Sequence, residues 1–476
     1  MDATRSVLTR RLATAALWIT CAYGAAVPAA TFYVDASASN DHGDGSASRP
    51  KKYLSSGIEL LSTHGGDTLI IRRGTYADRH DAIGSVPSGR AAAYNVIKAA
   101  EDGTVLIKAE LVLTRGDHYT QFEGLKWDSP TIKGVQGRYV KFLRCAFKGG
   151  PGSGNTMNLA IGTNDVTPGA DYVLIEDSWV YGSGGRYKLL VYNADHIILR
   201  RVVVRHDGGW RYDFDNPQGG IVTYNSRNIR LQDVIVVDSL PDLPGFESNI
   251  YLVGNTSSAT RPDNVKISGA IVIGGGGNGI ALDDSVPYAN TQIEDSVIWG
   301  TTAGFSAHGA AHVATVNRVL VHSGHTAFAD WAARHGITVK NSIAYRNAGA
   351  ALTDVTGSHI VSYGNGADSG TILDPLANGL TYLPRIEPGS MLAHMGDGGG
   401  QVGPEIQKRI GRSGTLYGDP GFEELGSEDL WPWPYEARLK ADFAELPARG
   451  FTAQPGTLTD YIWSMLGHPS PWAVRP

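Results

Sequence analysis

The chain has 476 residues, 42% of them hydrophobic, with 60 glycines and a formal net charge of −6 from 41 basic and 47 acidic side chains. That hydrophobic share excludes a disordered polymer, and the acidic balance excludes bulk attraction to nucleic acid or to an anionic membrane surface, so affinity for an acidic ligand has to be local. The glycine content points to a β-rich protein with many tight turns.

The first thirty residues read as an export signal. Arg5, Arg10 and Arg11 precede the apolar run "LATAALWITCAYGAAV", and the small residues of "AVPAA" follow. The mature protein is expected to start near Thr31 and to be secreted or periplasmic. The run is too short for a membrane anchor, so no membrane insertion is expected. Cys145 is then the single mature cysteine, with no internal disulfide and a buried thiol.

From residue 119 the chain repeats itself. Tyr119 opens "YTQFEGLKW", Tyr139 "YVKFLRCAF", Tyr172 "YVLIEDSWV", His196 "HIILRRVVV", Asn228 "NIRLQDVIV" and Asn264 "NVKISGAIV". Asn290, His312 and Gly336 open three more units. Each is a short alternating strand, a polar bend and a second short strand. A third strand follows after glycines, as in "GIVTYNS" and "GIALDDS". The starts are spaced by about 20 to 36 residues, a solenoid period. Three strands per turn without helical periodicity predict an all-β fold, a right-handed parallel β-helix whose turns bury their apolar faces by stacking.

Upstream, "FYVDASASNDHGDGSASRPKKYLSSGIELLSTHGGDTLIIRRGTYAD" spans residues 32 to 78. It resembles the opening of secreted proteins in the pectate-lyase-like β-helix superfamily. The resemblance covers about residues 31 to 370. It implies a short N-terminal capping helix ahead of the first turn, "GDTLIIRRGTY". It implies a fold and not a reaction, since lyases, hydrolases, epimerases and phage tailspikes share it.

Residues 371–425 lose the repeat and read as an irregular closing segment of a solenoid domain spanning 31–425. There "GDPGF" resembles the way such proteins close their last turn. Residues 426–476 read as a small helical C-terminal cap or strap over the solenoid, with Pro434 near one helix start and "TLTDYIWSMLG" as a second helix. Trp431 and Trp433 are expected to pack this cap. No heptads support a trimer, so a monomer is expected.

Strand alternation then places chemistry. If Ile280 and Leu282 of "GIALDDS" point inward, Asp283 points outward. The same rule turns Tyr192, Tyr224, Val253, His308 and Trp331 outward, one file along one face. Aromatic rings in register suit stacking on sugars. The stretch "RHDGGWRYDFDNPQGG", residues 205 to 220, leads into the Tyr224 strand and carries Arg205, His206, Asp207, Trp210, Arg211, Asp213 and Asp215. The preceding turn offers Arg186, Tyr187 and Lys188, and the next offers Asp238, Asp242 and Glu247. Together these suggest a cleft for a polysaccharide substrate bearing carboxylates, because arginine forks bind carboxylates in two-point fashion.

Two reactions fit. β-Elimination on a uronic acid needs the carboxylate neutralised, for which Arg186 and Arg211 suit, and a base, for which Lys188, His206 or Tyr224 suit. The resemblance also raises calcium, for which Asp207, Asp213 and Asp215 are the candidate ligands. Hydrolysis needs two carboxyl groups, and Asp283 and Asp284 with His308 one turn on are similar to the paired Asp and nearby His of β-helix polygalacturonases. The further "NTD" and "RIK" motifs of those enzymes are missing. The non-catalytic alternative is a glycan-binding surface protein that uses Tyr187, Tyr192, Trp210 and Trp331 without the carboxylates.

Overall fold

The computed structural model describes residues 29–152, 154–163, 168–182, 185–208, 218–239, 246–255, 262–283 and 286–466. The export signal therefore lies almost wholly outside the described residues. Among them, no helix is long and apolar enough to cross a membrane.

The repeat units coil into a parallel β-helix with three rows of strands. Every strand pair in the coil is parallel, and equivalent residues of successive units sit in register. Phe122, Phe142, Ile175, Leu199, Leu231 and Ile267 form one such inward file in row one. Rows one and two merge in the long strands Asp171–Tyr181 and Asp195–Val204. Row three is a separate ten-stranded sheet. Its central strands are Met157–Gly162, Tyr187–Tyr192, Gln218–Tyr224, Phe246–Val253, Asn278–Asp283, Ala303–Ala307 and Thr326–Asp330. The core between the rows is almost entirely Val, Ile, Leu, Phe and Ala, and it includes Cys145, whose thiol is pushed up to about 12 by burial.

The residues that open the repeats share a backbone role. Tyr119, Tyr139, Tyr172, His196, Asn228, Asn264 and Asn290 all have φ between 51° and 54°. Asparagine and histidine adopt this left-handed conformation more readily than other side chains, whereas tyrosine is strained by it. Stacking offsets the strain. Tyr119, Tyr139, Tyr172 and His196 lie ring on ring, with centroids 4.6, 4.7 and 4.3 Å apart. The asparagines continue the column as a hydrogen-bonded ladder, Asn264 Nδ2 donating to Asn228 Oδ1 at 2.7 Å.

Helix α1 (Leu54–Ile58) closes the N-terminal end, burying Leu54, Gly57 and Ile58 against the first turns, as the resemblance implies. The C-terminal tail takes the strap arrangement. It runs along the side of the coil and packs on two of its three faces. Leu416, Tyr417 and Phe422 cover Leu174 and Ile198 on row one. Helices α2 (Glu436–Phe443) and α3 (Leu458–Met465), with Trp431 and Trp433, cover the outward apolar residues of row two, among them Trp179, Val203, Ile235, Ile271, Val297 and Leu320. The expected packing role of the two tryptophans holds, both being almost fully buried. "GDPGF" does not close the last turn. It lies against the middle of row one, where the buried Arg200 donates to the carbonyl oxygens of Arg412 and Phe422 at 2.7 and 2.8 Å.

Candidate functional site

Row three is the face on which the described part of the tail does not pack. Alternation along its strands turns two files outward. The register pairs Gly162 with Tyr192, Tyr192 with Tyr224, Tyr224 with Val253 and Val253 with Asp283. The backbone bonds His308 N to Leu282 O and Trp331 N to Ala307 O carry the same file on to His308 and Trp331. All six residues expected in one file are therefore in one file, about 4.8 Å apart per turn. The second outward file contains Leu190, Val222, Tyr251 and Ala281.

At one end lies a groove of about 420 Å³ that includes Arg186, Tyr187, Leu190, Tyr192 and Tyr224 in its walls, with Ala160 and Gly162 in its floor. The Tyr192 and Tyr224 rings meet edge to face at 4.9 Å, and the Arg186 guanidinium lies 4.7 Å over the Tyr187 ring. Asn255 Nδ2 donates to Tyr224 Oη at 2.7 Å, which fixes the phenol. Gly162 cannot be replaced. It has φ 92°, and a Cβ there would stand 2.0 Å from the carbonyl oxygen of Tyr192.

Two turns beyond Tyr224 the file changes character. Tyr251 Oη donates to Asp283 Oδ2 at 2.8 Å. His308 follows one turn on, its pKa lowered by burial against the upward pull of Asp283 and Asp330. His312 Nε2 donates to the His308 carbonyl at 2.7 Å while its Nδ1 accepts from Tyr288 N at 3.1 Å, so a neutral imidazole pins the backbone of His308. Burial lowers the pKa of His312 as well. Asp330 points inward and accepts backbone N–H groups from Ala332, Arg334 and His335. Trp331, 49% exposed, ends the file.

Several expected residues are elsewhere. Lys188 is fully buried at the corner between rows two and three, donating to the carbonyls of Gly185 and Gly208 at 2.8 and 2.7 Å, and burial pushes its ammonium down to about 7. Lys133 repeats this device two turns earlier, on the carbonyls of Ser129 and Lys148. His206 is fully buried, and burial, then the charge of Lys188, holds its pKa well below the ordinary imidazole value. Arg205 faces the cap. It donates to Asp207 at 2.7 Å and to the Phe443 carbonyl, and stacks 4.8 Å over the Phe443 ring. Asp207 is engaged by Arg205, by Arg449 and by the Gly182 N–H, which makes it a cap anchor in place of a calcium ligand. Asp238 likewise holds Tyr461 and the Phe451 N–H. Trp210, Arg211, Asp213, Asp215, Asp242 and Asp284 lie outside the described residues. Among the described residues no cluster of His, Cys, Asp and Glu has metal-binding geometry.

Sequence reasoning missed Tyr251. It sits two residues before Val253, so the alternation that turned Val253 outward had already turned Tyr251 outward.

No protein-family model matches the chain, and no curated protein matches it by sequence. Solved structures do. The chain is similar to a pectate lyase at 13% identity, over 80% of this chain and 96% of that one, with a TM-score of 0.44. It is similar to a glycoside hydrolase at 9% identity, over 71% and 96%, with a TM-score of 0.45. It is also similar to an alginate lyase from Paenibacillus sp. str. FPU-7 at 13% identity, over 70% and 99%, with a TM-score of 0.34.

Proposed function

We propose that the protein is an exported polysaccharide-cleaving enzyme, that an acidic glycan lies along the row-three file, and that it is cut by β-elimination. The observation that carries this is the in-register file Tyr192, Tyr224, Val253, Asp283, His308 and Trp331 on the face where the described part of the tail does not pack. Sugars stack on the tyrosines and on Trp331. The single turn spacing gives several sugar units parallel, regularly spaced seats.

The acid–base groups are Tyr251, hydrogen-bonded to Asp283, and His308, one turn beyond Asp283. His308, with its lowered pKa, is neutral at neutral pH and able to accept the C5 proton. The Tyr251 phenol, oriented by Asp283, supplies a proton to the departing O4. Arg186 is the described cation at the groove wall. Lys188 and His206 give up the base role because neither stands on the outward file: Lys188 is held by the carbonyls of Gly185 and Gly208, and His206 lies buried beside it at the corner.

The second reading is hydrolysis by Asp283 with Asp284. It needs two carboxyl groups on this face. Among the described side chains Asp283 is the carboxylate at an outward position of the central row-three strands, and Asp284 and the Glu247 side chain lie outside them.

Incubation with polyuronates separates the readings. Elimination predicts products that absorb in the ultraviolet through a new double bond, and loss of that absorbance in His308→Gln and Tyr251→Phe. New reducing ends without absorbance, lost in Asp283→Asn, would establish hydrolysis. Binding with neither product would leave a glycan-binding protein.

A further inference from the structure

The groove accounts for stacking but holds a single described cation, Arg186, on the side facing row two. Around the opposite corner, where row three passes into row one, is a second cavity of about 290 Å³. It is lined by Arg115, Arg138 and Arg227 together with Asp171 and Asp195, and Gln136 is shared with the groove. We infer that this arginine rim recognises the carboxylates of the glycan and sets specificity for uronic acids, an inference that rests on the proposed substrate class.

The register explains how the rim comes to lie beside the groove. The tyrosine file runs back from Tyr192 through Gly162 to the level of Gln136. The first residues of row one form a parallel file, Arg138, Asp171, Asp195 and Arg227. A corner of one or two residues separates the files at these turns: Gly137 between Gln136 and Arg138, and Asn225 and Ser226 between Tyr224 and Arg227. A chain stacked on the tyrosines therefore passes the arginines at a side-chain length.

The charges do not cancel. The cavity holds three guanidinium groups against two carboxylates. The aspartates are fully engaged. Asp171 accepts from Arg138 Nη2 at 2.9 Å and pairs with His196 Nδ1 at 2.9 Å. Asp195 accepts from Arg227 Nε and from Asn228 Nδ2, both at 2.7 Å. The arginines are not. Among the described residues Arg138 and Arg227 each give one nitrogen to these pairs and remain 47% and 55% exposed, and Arg115 makes no ion pair. Each guanidinium carries five donors, so paired forks are left for planar anions. The carboxylates thus hold the arginines in place without consuming them.

The test is binding, measured by affinity electrophoresis on polygalacturonate and on alginate, each beside its carboxyl-reduced neutral form. Wild type is expected to bind at least one polyuronate far more tightly than the reduced polymer, and to lose that preference in high salt as exposed charges are screened. Arg115→Gln with Arg227→Gln is expected to weaken polyuronate binding roughly tenfold, about 1.4 kcal/mol, and to leave binding of the reduced polymer unchanged. If the double variant binds the polyuronate as wild type does while Tyr224→Ala does not, the rim is not the recognition element and the acidic substrate stands. If wild type binds both polymers of every pair equally, or binds neither polyuronate, the acidic substrate itself falls. That arm uses no variant and is independent of any effect on folding.

Discussion

Asp207 separates a cap anchor from a site residue, and Asp207→Asn tests the distinction. The carboxylate takes hydrogen bonds from Arg205 Nε at 2.7 Å, from Arg449 Nη2 and from Gly182 N at 2.7 Å. Asparagine keeps the shape and one acceptor oxygen. It removes the charge that faces two guanidinium groups, of which Arg205 is wholly buried and Arg449 is 22% exposed. Two charge-assisted bonds at about 1.5–3 kcal/mol each give about 3–6 kcal/mol. Breaking a buried pair costs about 3–5 kcal/mol by direct comparison. The partial exposure of Arg449 places the expected loss near the lower end, about 3 kcal/mol. Because Arg205 and Arg449 tie the cap to the coil, the loss should appear locally, as opening of α2 and α3. Amide exchange over Glu436–Phe443 should rise by roughly a hundredfold at about 1.4 kcal/mol per tenfold, while exchange in Tyr187–Tyr192 and the rate of glycan cleavage stay near wild type. Unchanged exchange in α2 together with lost cleavage would refute this reasoning and return Asp207 to the site.

The buried lysines predict a pH dependence. Lys133 and Lys188 are both pushed down to about 7 from 10.5 by burial. Between these values the unfolded chain holds protons that the folded chain has released, so stability rises with pH through that window, by up to about 1.4 kcal/mol per unit for each lysine. Denaturant midpoints should increase from pH 7 to pH 9 in wild type and increase less in Lys133→Met with Lys188→Met. Tyr251→Phe should lower kcat by ten- to a hundredfold while changing stability by about 1 kcal/mol, measured by kinetics and by urea titration. The imidazole of His308, followed by NMR, should titrate below its ordinary value in wild type and lower still in Asp283→Asn, because the carboxylate that pulls its pKa up is gone.

The coil and its outward file were legible because both depend on local rules. The repeats show the stacking, and a period of two fixes which side chains share a face. Lys188 shows where the rule fails. The corner before row three places residues 188 and 189 both inward, so counting from the start of the strand gives the wrong side. Arg205, His206 and Asp207 fail for another reason. Their segment reads as a charged connection, and the groups that bury Arg205 and Asp207 are Phe443, Arg449 and Thr452, about 240 residues away. Nothing local announces that contact. The arginine rim was missed because Arg115, Arg138 and Arg227 stand in different repeats and converge only through register.

The same register explains why function sits on row three. The outward positions of row two are Val203, Ile235, Ile271, Val297 and Leu320, side chains that would expose a continuous apolar stripe if left bare. The tail exists to cover them, and each such residue buried contributes about 1.5–3 kcal/mol. Row three instead turns Tyr192, Tyr224, Asp283 and His308 outward and half-buried, groups that combine ring faces with hydrogen-bonding edges, beside the buried second file of Leu190, Val222, Tyr251 and Ala281. The hydrogen bonds from Tyr251 to Asp283 and from Asn255 to Tyr224 orient the polar groups along the face. The division of labour therefore shows in one file of each row: apolar and covered by the tail on row two, aromatic and ionisable along the partly exposed row-three file where a sugar chain is proposed to lie.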